Sequence, residues 1–353
     1  MFRIGHELAG FSSETGEFDA SVGDTVAAPG RAAPLDTPAL PRPTLAVTFG
    51  ANVSPLAGRD GDKRTASMIR RRLEKEAENN VAIRVAPNAD DGERIDVLAR
   101  GELQVGVLVE EMRREGFELA VSPPRVLFET DGASGERLEP IEEVTIDVDV
   151  EYQGLIIDKL TGARRGTFLE MRDGTGPGKV RLVFRCPSRG LLGFAAEVRQ
   201  ETHGAAVVHA LFSEMVPHLG ALGAELRKGK LVATGPGKMT EYALEKIQVR
   251  GRTFVEPGEE SYEGLVVGEC KAGADDMEVN PARRRSVSNA DEAVGLVKLT
   301  PSRRMAVEEL IAYMEDDEVI EVTPKAVRLH KAVLGSSERS RIAKARKQAA
   351  AAK

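Results

Sequence analysis

Two stretches of the sequence, 44–122 and 125–213, each pass through strand-like and helix-like hydrophobic patterns in the order βαββαβ. A third, 214–335, is glycine-rich, with short strand-like runs and one late helix-like pattern. These observations predict an α+β protein: two tandem domains of one topology, then a β-rich C-terminal domain. The 353 residues leave room for this at ~100–200 residues per domain. A leading segment, 1–33, holds too few strand-like pieces to close a barrel, and a basic tail, 336–353, follows the last domain.

In the leading segment, runs such as Asp24-Thr25-Val26-Ala27 read as strands, and Pro34, Pro38, Pro41 and Pro43 then mark a linker. A strand over 45–52 leads to a helix over 65–80 with Ile69, Leu73 and Ala77 on its apolar face. Strands over 81–85 and 94–99 follow. Gly101 turns the chain into a second helix, where Val105, Leu108, Val109 and Met112 stand at i, i+3, i+4 and i+7. Gly116 stops it, and 117–121 is the fourth strand. This order is that of the split ferredoxin-like unit.

The same order repeats. Val144, Ile146, Val148 and Val150 alternate with Thr145, Asp147 and Asp149 in a half-buried strand. Tyr152, Leu155, Ile156 and Leu160 line a helix ended by Gly162; strands over 164–171 and 179–186 precede a helix opening at Ser188, and 205–212 closes the unit. In the third region Leu310 and Met314 form the core side of a helix that also holds Met305, Glu309, Ala312 and Tyr313. Strands over 319–322 and 326–329 come next. From Gly335 the composition reads as disorder or a fraying helix.

The stretch Pro187-Ser188-Arg189-Gly190-Leu191-Leu192-Gly193-Phe194 stands out. In the strand before it, Val180, Leu182, Phe184 and Cys186 face one side, and Arg181 and Arg185 the other. Ser188 suits a helix N-cap, since its hydroxyl can accept a first-turn N–H. Arg189 then sits at the positive end of the helix dipole, a conflict that a phosphate beside the first-turn amides would resolve. The plainer reading is an exposed arginine with its head in water.

Composition sets limits. Apolar residues at 41% and charged residues at 30% describe an ordinary water-soluble chain. Aromatics at 4% with no Trp argue against stacking platforms for single strands. Two cysteines, Cys186 and Cys270, fit a reducing compartment. No apolar run is long enough for a membrane span, and Met1-Phe2-Arg3 opens no signal peptide, so a cytoplasmic location without membrane partners is expected. The net charge of −7 hides an asymmetry: 325–353 carry nine Lys/Arg against Glu338 alone, leaving 40 basic and 55 acidic residues in 1–324. The body is thus −15 and the tail +8. Such a tail fits an anionic partner or, equally on composition, a disordered solubilising segment.

Pro187-Ser188-Arg189-Gly190-Leu191-Leu192-Gly193-Phe194 resembles the Pro-Ser-Arg-Gly-Leu-Ile-Gly signature of the BipA/TypA translational GTPases, relatives of elongation factor G. The resemblance extends in register to Gly101-Glu102-Leu103, to Glu111-Met112-Arg113-Arg114-Glu115-Gly116-Phe117-Glu118-Leu119 and to Tyr262-Glu263-Gly264. It continues at Asp316-Asp317-Glu318 and Glu321-Val322-Thr323-Pro324-Lys325. It implies that 1–33 is the end of the second, β-barrel domain, that the two ferredoxin-like domains correspond to domains three and five of elongation factor G, and that 214–335 is the C-terminal domain peculiar to BipA. It also implies a ribosome-associating, rRNA-binding role in translation and large-subunit (50S) assembly, particularly under stress. The implied RNA-contacting residues are Arg189, Arg250, Arg252, Lys298, Arg303, Arg304, Lys325 and Arg328. Contact with tRNA is implied too, but the family's Met-Arg-Ala-Ser-Gly loop core is lost between Asn289 and Asp291, which weakens that expectation.

The complete family uses GTP with Mg²⁺, yet no such cofactor is expected here. A phosphate-binding loop needs Gly, four residues, then Gly-Lys-Ser/Thr. The pairs Gly178-Lys179, Gly229-Lys230 and Gly237-Lys238 have Asp173, Ala224 and Val232 at the first position and Val180, Leu231 and Met239 at the last. Other chemistry is equally thin. Cys186 with His203, His209 or His218 can be drawn as a thiol–imidazole pair, but an alternating strand usually buries an inert thiol. The histidines lack metal-ligand spacing, Asp275-Asp276 and Asp316-Asp317 read as solvated, and Asp90-Asp91-Gly92 as a turn. The expected protein is therefore a non-enzymatic, ribosome-binding portion of such a GTPase. The alternatives are a stand-alone RNA-binding or assembly module, and the product of a truncated reading frame.

Overall fold

The structure, a computed structural model, describes residues 2–4, 7–9, 26–27, 42–174, 176, 178–223, 228–271, 273, 275–284 and 299–351. Most of the expected barrel end at 1–33 lies outside them; within it β1 (Phe2–Ile4) pairs antiparallel with β2 (Glu7–Ala9) and β3 (Val26–Ala27).

The first βαββαβ unit follows its hydrophobic pattern. Strand β4 (Leu45–Ala51) is buried along almost all its length. Helix α1 (Ala66–Asn79) turns Ile69 and Leu73 inward, with the Met68 N–H donating to the Thr65 side chain as N-cap. Strands β5 (Arg84–Pro87) and β6 (Ile95–Ala99) lead to α2 (Glu102–Arg114), which buries Val105, Leu108, Val109 and Met112. Glu102 in its first turn and Arg113 and Arg114 in its last complement the helix dipole. With β7 (Leu119–Val121) the sheet runs β7-β4-β6-β5, all antiparallel, and β8 (Arg125–Val126) also pairs with β4.

The second unit repeats this order as β11-β12-β10-β13. A short β9 (Glu129–Thr130) precedes the long β10 (Arg137–Asp149) and α3 (Gln153–Thr161); β11 (Thr167–Asp173) and β12 (Lys179–Pro187) follow. The helix expected at Ser188 is two pieces, one turn of α4 (Ser188–Leu191) and α5 (Phe194–Glu201), before β13 (Val207–Pro217). Gly193 makes the break: its φ of +70° is left-handed, and a Cβ there would stand 3.0 Å from the Ala312 carbonyl oxygen. The N-cap of α4 is Pro187, not Ser188; the Ser188 hydroxyl is buried and donates to the Pro140 carbonyl instead. Gly190 sits so close to Arg164 that a Cβ would lie 2.5 Å from its carbonyl oxygen.

The C-terminal region contains β14 (Lys230–Ala233), β15 (Gly237–Lys238), α6 (Glu241–Gln248), β16 (Gly251–Thr253), β17 (Glu260–Ser261), β18 (Val266–Cys270) and β19 (Met277–Val279). They form a sheet β16-β18-β14-β19 and the pair β15-β17. Helix α6 was not anticipated, because eight residues carry barely two turns of periodicity. Thr240 caps it and Ala243, Leu244 and Ile247 anchor it. Then come α7 (Val307–Tyr313), β20 (Glu318–Val322), β21 (Val327–Lys331) and α8 (Ser336–Ala351). The tail, whose composition reads as disorder or a fraying helix, is helical over Ser336–Ala351.

The hairpin β20–β21 does not join the sheet of its own region. It pairs antiparallel with β7, Ile320 opposite Val121 and Val322 opposite Leu119, extending the first unit's sheet to seven strands. Val307, Leu310, Ile311, Ile320, Val322 and Leu329 accordingly pack into one core with Val47, Phe49, Leu108 and Met112. Around the seam, buried Glu118 accepts the Gly58 and Gly61 amides, and buried Glu321 accepts the Tyr262 hydroxyl at 2.9 Å. The Asn52 amide bridges both carboxylates at 2.9 and 3.1 Å.

Removing the Ile320 side chain beyond Cβ should therefore destabilise two regions at once. Ile320→Ala is expected to cost about 2–5 kcal/mol. Because the core is shared, β4–β7 and the C-terminal region should still unfold in one transition, measured by urea titration with probes in each; separate transitions would refute the shared core.

A second prediction concerns Glu102, whose carboxylate accepts the Gly193 N–H at 2.9 Å and so ties α2 to the second unit. Burial pushes its carboxyl up to about 7, above the ordinary 4.5. The folded state then holds a proton that the unfolded chain has lost, so stability falls as pH rises from about 4.5 to about 7, by on the order of 3 kcal/mol. Glu102→Gln keeps an acceptor without the charge. Thermal melts of this variant should lose most of that pH slope, and an unchanged slope would locate it elsewhere.

Candidate nucleic-acid interface

A cleft of about 870 Å³ opens between the end of α2 and the C-terminal region. Its apolar lining includes Phe254, Val266, Met305, Val307, Val327 and Leu329. Seven cations line it: Arg59, Arg113, Arg114, Arg303, Arg304, Lys325 and Arg328. Five carboxylates do as well: Asp60, Glu110, Glu259, Glu260 and Glu308.

Each side chain is placed by the local fold. The turn between β20 and β21 is closed by the Ala326 N–H donating to the Thr323 hydroxyl at 3.0 Å, while Thr323 and Lys325 both reach Asp60. The Lys325 ammonium holds the Asp60 carboxyl below the usual carboxylate range. Arg328 turns back to buried Glu321 at 3.3 Å. Arg113 grips Glu110 through two bonds of 2.7 and 2.9 Å and reaches the Pro324 carbonyl. Arg304 pairs with Glu256 and Glu259, and Arg303 lies 3.7 Å from Glu269.

The structure thus brings together four of the sequence-predicted residues, Arg303, Arg304, Lys325 and Arg328, and adds three. Arg113 and Arg114 stood inside a quoted motif, and their adjacency at a helix end was the available signal; Arg59 gave none. Arg250 and Arg252 lie apart, exposed at the start of β16. Lys298 and the Asn289–Asp291 loop fall outside the described residues.

Arg189 lies elsewhere and is engaged. Its side chain, 14% exposed, bonds fully buried Glu139 at 2.5 Å and also the Gly220 carbonyl. Burial would raise Glu139, but Arg189 and the Leu219 N–H outweigh it and hold the carboxyl below its ordinary value. The charge conflict read from the sequence is thus met by a carboxylate within the protein. Asp276 and Asp317, expected to be solvated, instead pair with buried Lys331 at 2.8 and 3.2 Å.

No nucleotide chemistry fits the Gly-Lys pairs, because each opens or forms a strand (β12, β14, β15) where a phosphate loop would open a helix. Among the described residues no group of three or more His, Cys, Asp or Glu could hold a metal ion. Burial pushes the Cys186 thiol up to about 12, keeping it neutral near pH 7, and it contacts the Arg164 carbonyl. No described helix is long and apolar enough to cross a membrane.

Truncating Arg189 should strand a buried carboxylate. Arg189→Met is expected to cost about 3–5 kcal/mol, and adding Glu139→Leu should recover most of it. Denaturant melts of the single and double variants test this; a single variant as stable as wild type would contradict the pairing.

Comparison with known proteins agrees with this architecture. A family model described as the TypA/BipA C-terminal domain matches residues 228–336, and one described as the elongation factor G C-terminus matches 136–222. Large ribosomal subunit assembly factor BipA of Bacillus subtilis is 40% identical over 95% of this chain and 54% of its own length. The protein of that name from Salmonella typhimurium is 36% identical over 95% and 54%, and that from Haemophilus influenzae 35% over 93% and 52%. The chain spans about half the length of the curated relatives it matches. With motifs, fold and matches in agreement, the chain belongs to the TypA/BipA family and corresponds to its C-terminal part.

Proposed function

We propose that this chain associates with the large ribosomal subunit by binding rRNA phosphates and contributes to that subunit's assembly, without catalysis of its own. The observation that carries the reading is the cleft that gathers seven cations, interleaved with five carboxylates. The relatives' name, large ribosomal subunit assembly factor, supports it. Arginine and lysine neutralise phosphates and release counter-ions, so such binding is salt-dependent and largely independent of base sequence. Exposed pairs such as Lys325–Asp60 and Arg304–Glu256 are worth only about 0–1 kcal/mol, so a phosphate can take over the cation. Helix α8, bearing Arg341 and Lys344 on exposed or half-exposed positions, adds attraction along its length. Arg250 and Arg252 offer a second, outlying contact. In this reading the protein acts in the cytoplasm, and GTP with Mg²⁺ belongs to the complete family members.

Co-sedimentation with 50S particles across a salt series tests this. Wild-type binding should weaken steeply with salt and be the same with GTP, GDP or neither, since a ligand shifts binding only by differential affinity. Lys325→Glu and Arg304→Glu should each lower the salt slope by about 1. Arg172→Glu, on β11 outside the cleft, should not. Salt-independent binding, or cleft variants that sediment like wild type, would refute the assignment.

A further inference from the structure

The edge of a sheet is where one chain can pair with another, since its outer amides and carbonyls stay open. Most edges of this protein are blunted. Strand β5 carries Arg84 and Pro87, and β11 carries Glu170 and Arg172 beside a bulge. Strand β21 is bridged at His330 by Leu265, and β16 and β19 are only three residues long.

Strand β13 is the exception. It runs for eleven residues, and among the described residues it pairs with β10 alone. From 205 to 213 the chain holds no Asp, Glu, Lys, Arg, Pro or Gly. Val207-Val208-His209-Ala210-Leu211-Phe212 joins good strand formers without a fixed charge, a composition that favours pairing with a further strand. The first carboxylate, Glu214, lies past a register shift and pairs with Arg185. Val207, His209 and Leu211 stand opposite Asp147, Thr145 and Glu143 on the solvent face of the sheet. Val207 is 50% exposed there and Leu211 68%.

The run matches itself when turned about His209. An antiparallel second copy centred there sets Val207 against Leu211 on one side of the axis and Leu211 against Val207 on the other. On the opposite face Val208 meets Ala210 twice and continues the packed side of the sheet. No carboxylate, lysine or arginine meets its like across such a seam. A slip by one residue is disfavoured, because it would turn solvent-facing side chains against core-facing ones.

We propose that β13 is a dimerisation edge, pairing antiparallel with β13 of a second copy of this chain about a two-fold axis at His209. The β11-β12-β10-β13 sheets of the two copies then become one sheet of eight strands. The contact closes at two copies, because each patch is used by its twin and the opposite edge, β11, is guarded. No residue lining the cation-bearing cleft comes from this unit, so both clefts stay open in the dimer. One strand pair buries less than a standard interface, so the dimer is a weak one, in the micromolar to millimolar range.

The test is sedimentation equilibrium of the full chain across a micromolar-to-millimolar concentration series. Wild type should pass from monomer to dimer and stop there. Leu211→Lys and Val207→Glu, both at exposed positions, should each weaken association by about tenfold, since each spoils two cross-strand pairs. An equimolar mixture of the two variants should regain it. In the mixed dimer the two new charges face each other across one half of the seam, while the native Val207–Leu211 pair persists in the other. A wild type that stays monomeric, one that grows beyond the dimer, or one whose association Leu211→Lys leaves unchanged overturns the proposal. So does a mixture that associates no more tightly than the separate variants, which would reject the axis at His209.

Discussion

The antiparallel pairing of β7 with β20 is the constraint on which the architecture depends, because it joins residues two hundred positions apart into one sheet. A short edge strand of three residues would otherwise leave its outer amides and carbonyls open. The hairpin covers that edge, and its Ile320 and Val322 complete the core beneath. The cleft follows from the same pairing, since the β20–β21 turn places Lys325 and Arg328 opposite Arg113 and Arg114 of α2.

The motifs that carry the family resemblance meet one another in space. Glu118 and Glu321, from two motifs, are fully buried and share the Asn52 amide; Tyr262, from a third, donates to Glu321. Glu102 of the Gly-Glu-Leu motif accepts the backbone N–H of Gly193 in the signature stretch. Glu263 accepts the Ser336 N–H and fixes the start of α8. Buried carboxylates such as Glu118 and Glu321 would be strongly disfavoured without such partners, so these two positions tolerate few alternatives. On this physical account the motifs are the joints between units, and the cations of the cleft lie around them.

Both βαββαβ units were legible in the sequence because their strands and helices bury alternating or i, i+3, i+4 side chains: Val144, Ile146 and Val148, or Val105, Leu108, Val109 and Met112. The hairpin's partner was not legible, since a pleat pattern says which face is buried and not which strand lies beside it. Arg189 shows the same limit. Local reasoning identified a cation needing an anion, and only the tertiary fold reveals that Glu139 is that anion. The cleft was half legible: Lys325 closes a quoted motif and Arg328 follows three residues on, whereas Arg59 became part of it only through the fold.

Depth then separates the cations into two kinds. Arg189 and Lys331 face carboxylates that are themselves buried, so withdrawing either cation leaves a charge stranded at a cost of about 3–5 kcal/mol. Within the fold these two cations are committed to their carboxylates. Lys325, 74% exposed, and Arg304, 63% exposed, are held by pairs worth about 0–1 kcal/mol, which orient the side chains while leaving them exchangeable. An acidic body can therefore present a phosphate-binding face without large positive excess. In the proposed RNA-binding role, its carboxylates would hold the places of phosphates, and the exchange would conserve the number of ion pairs. Counter-ion release from a polyanion would supply the remaining driving force of the proposed binding, making it sensitive to salt more than to sequence.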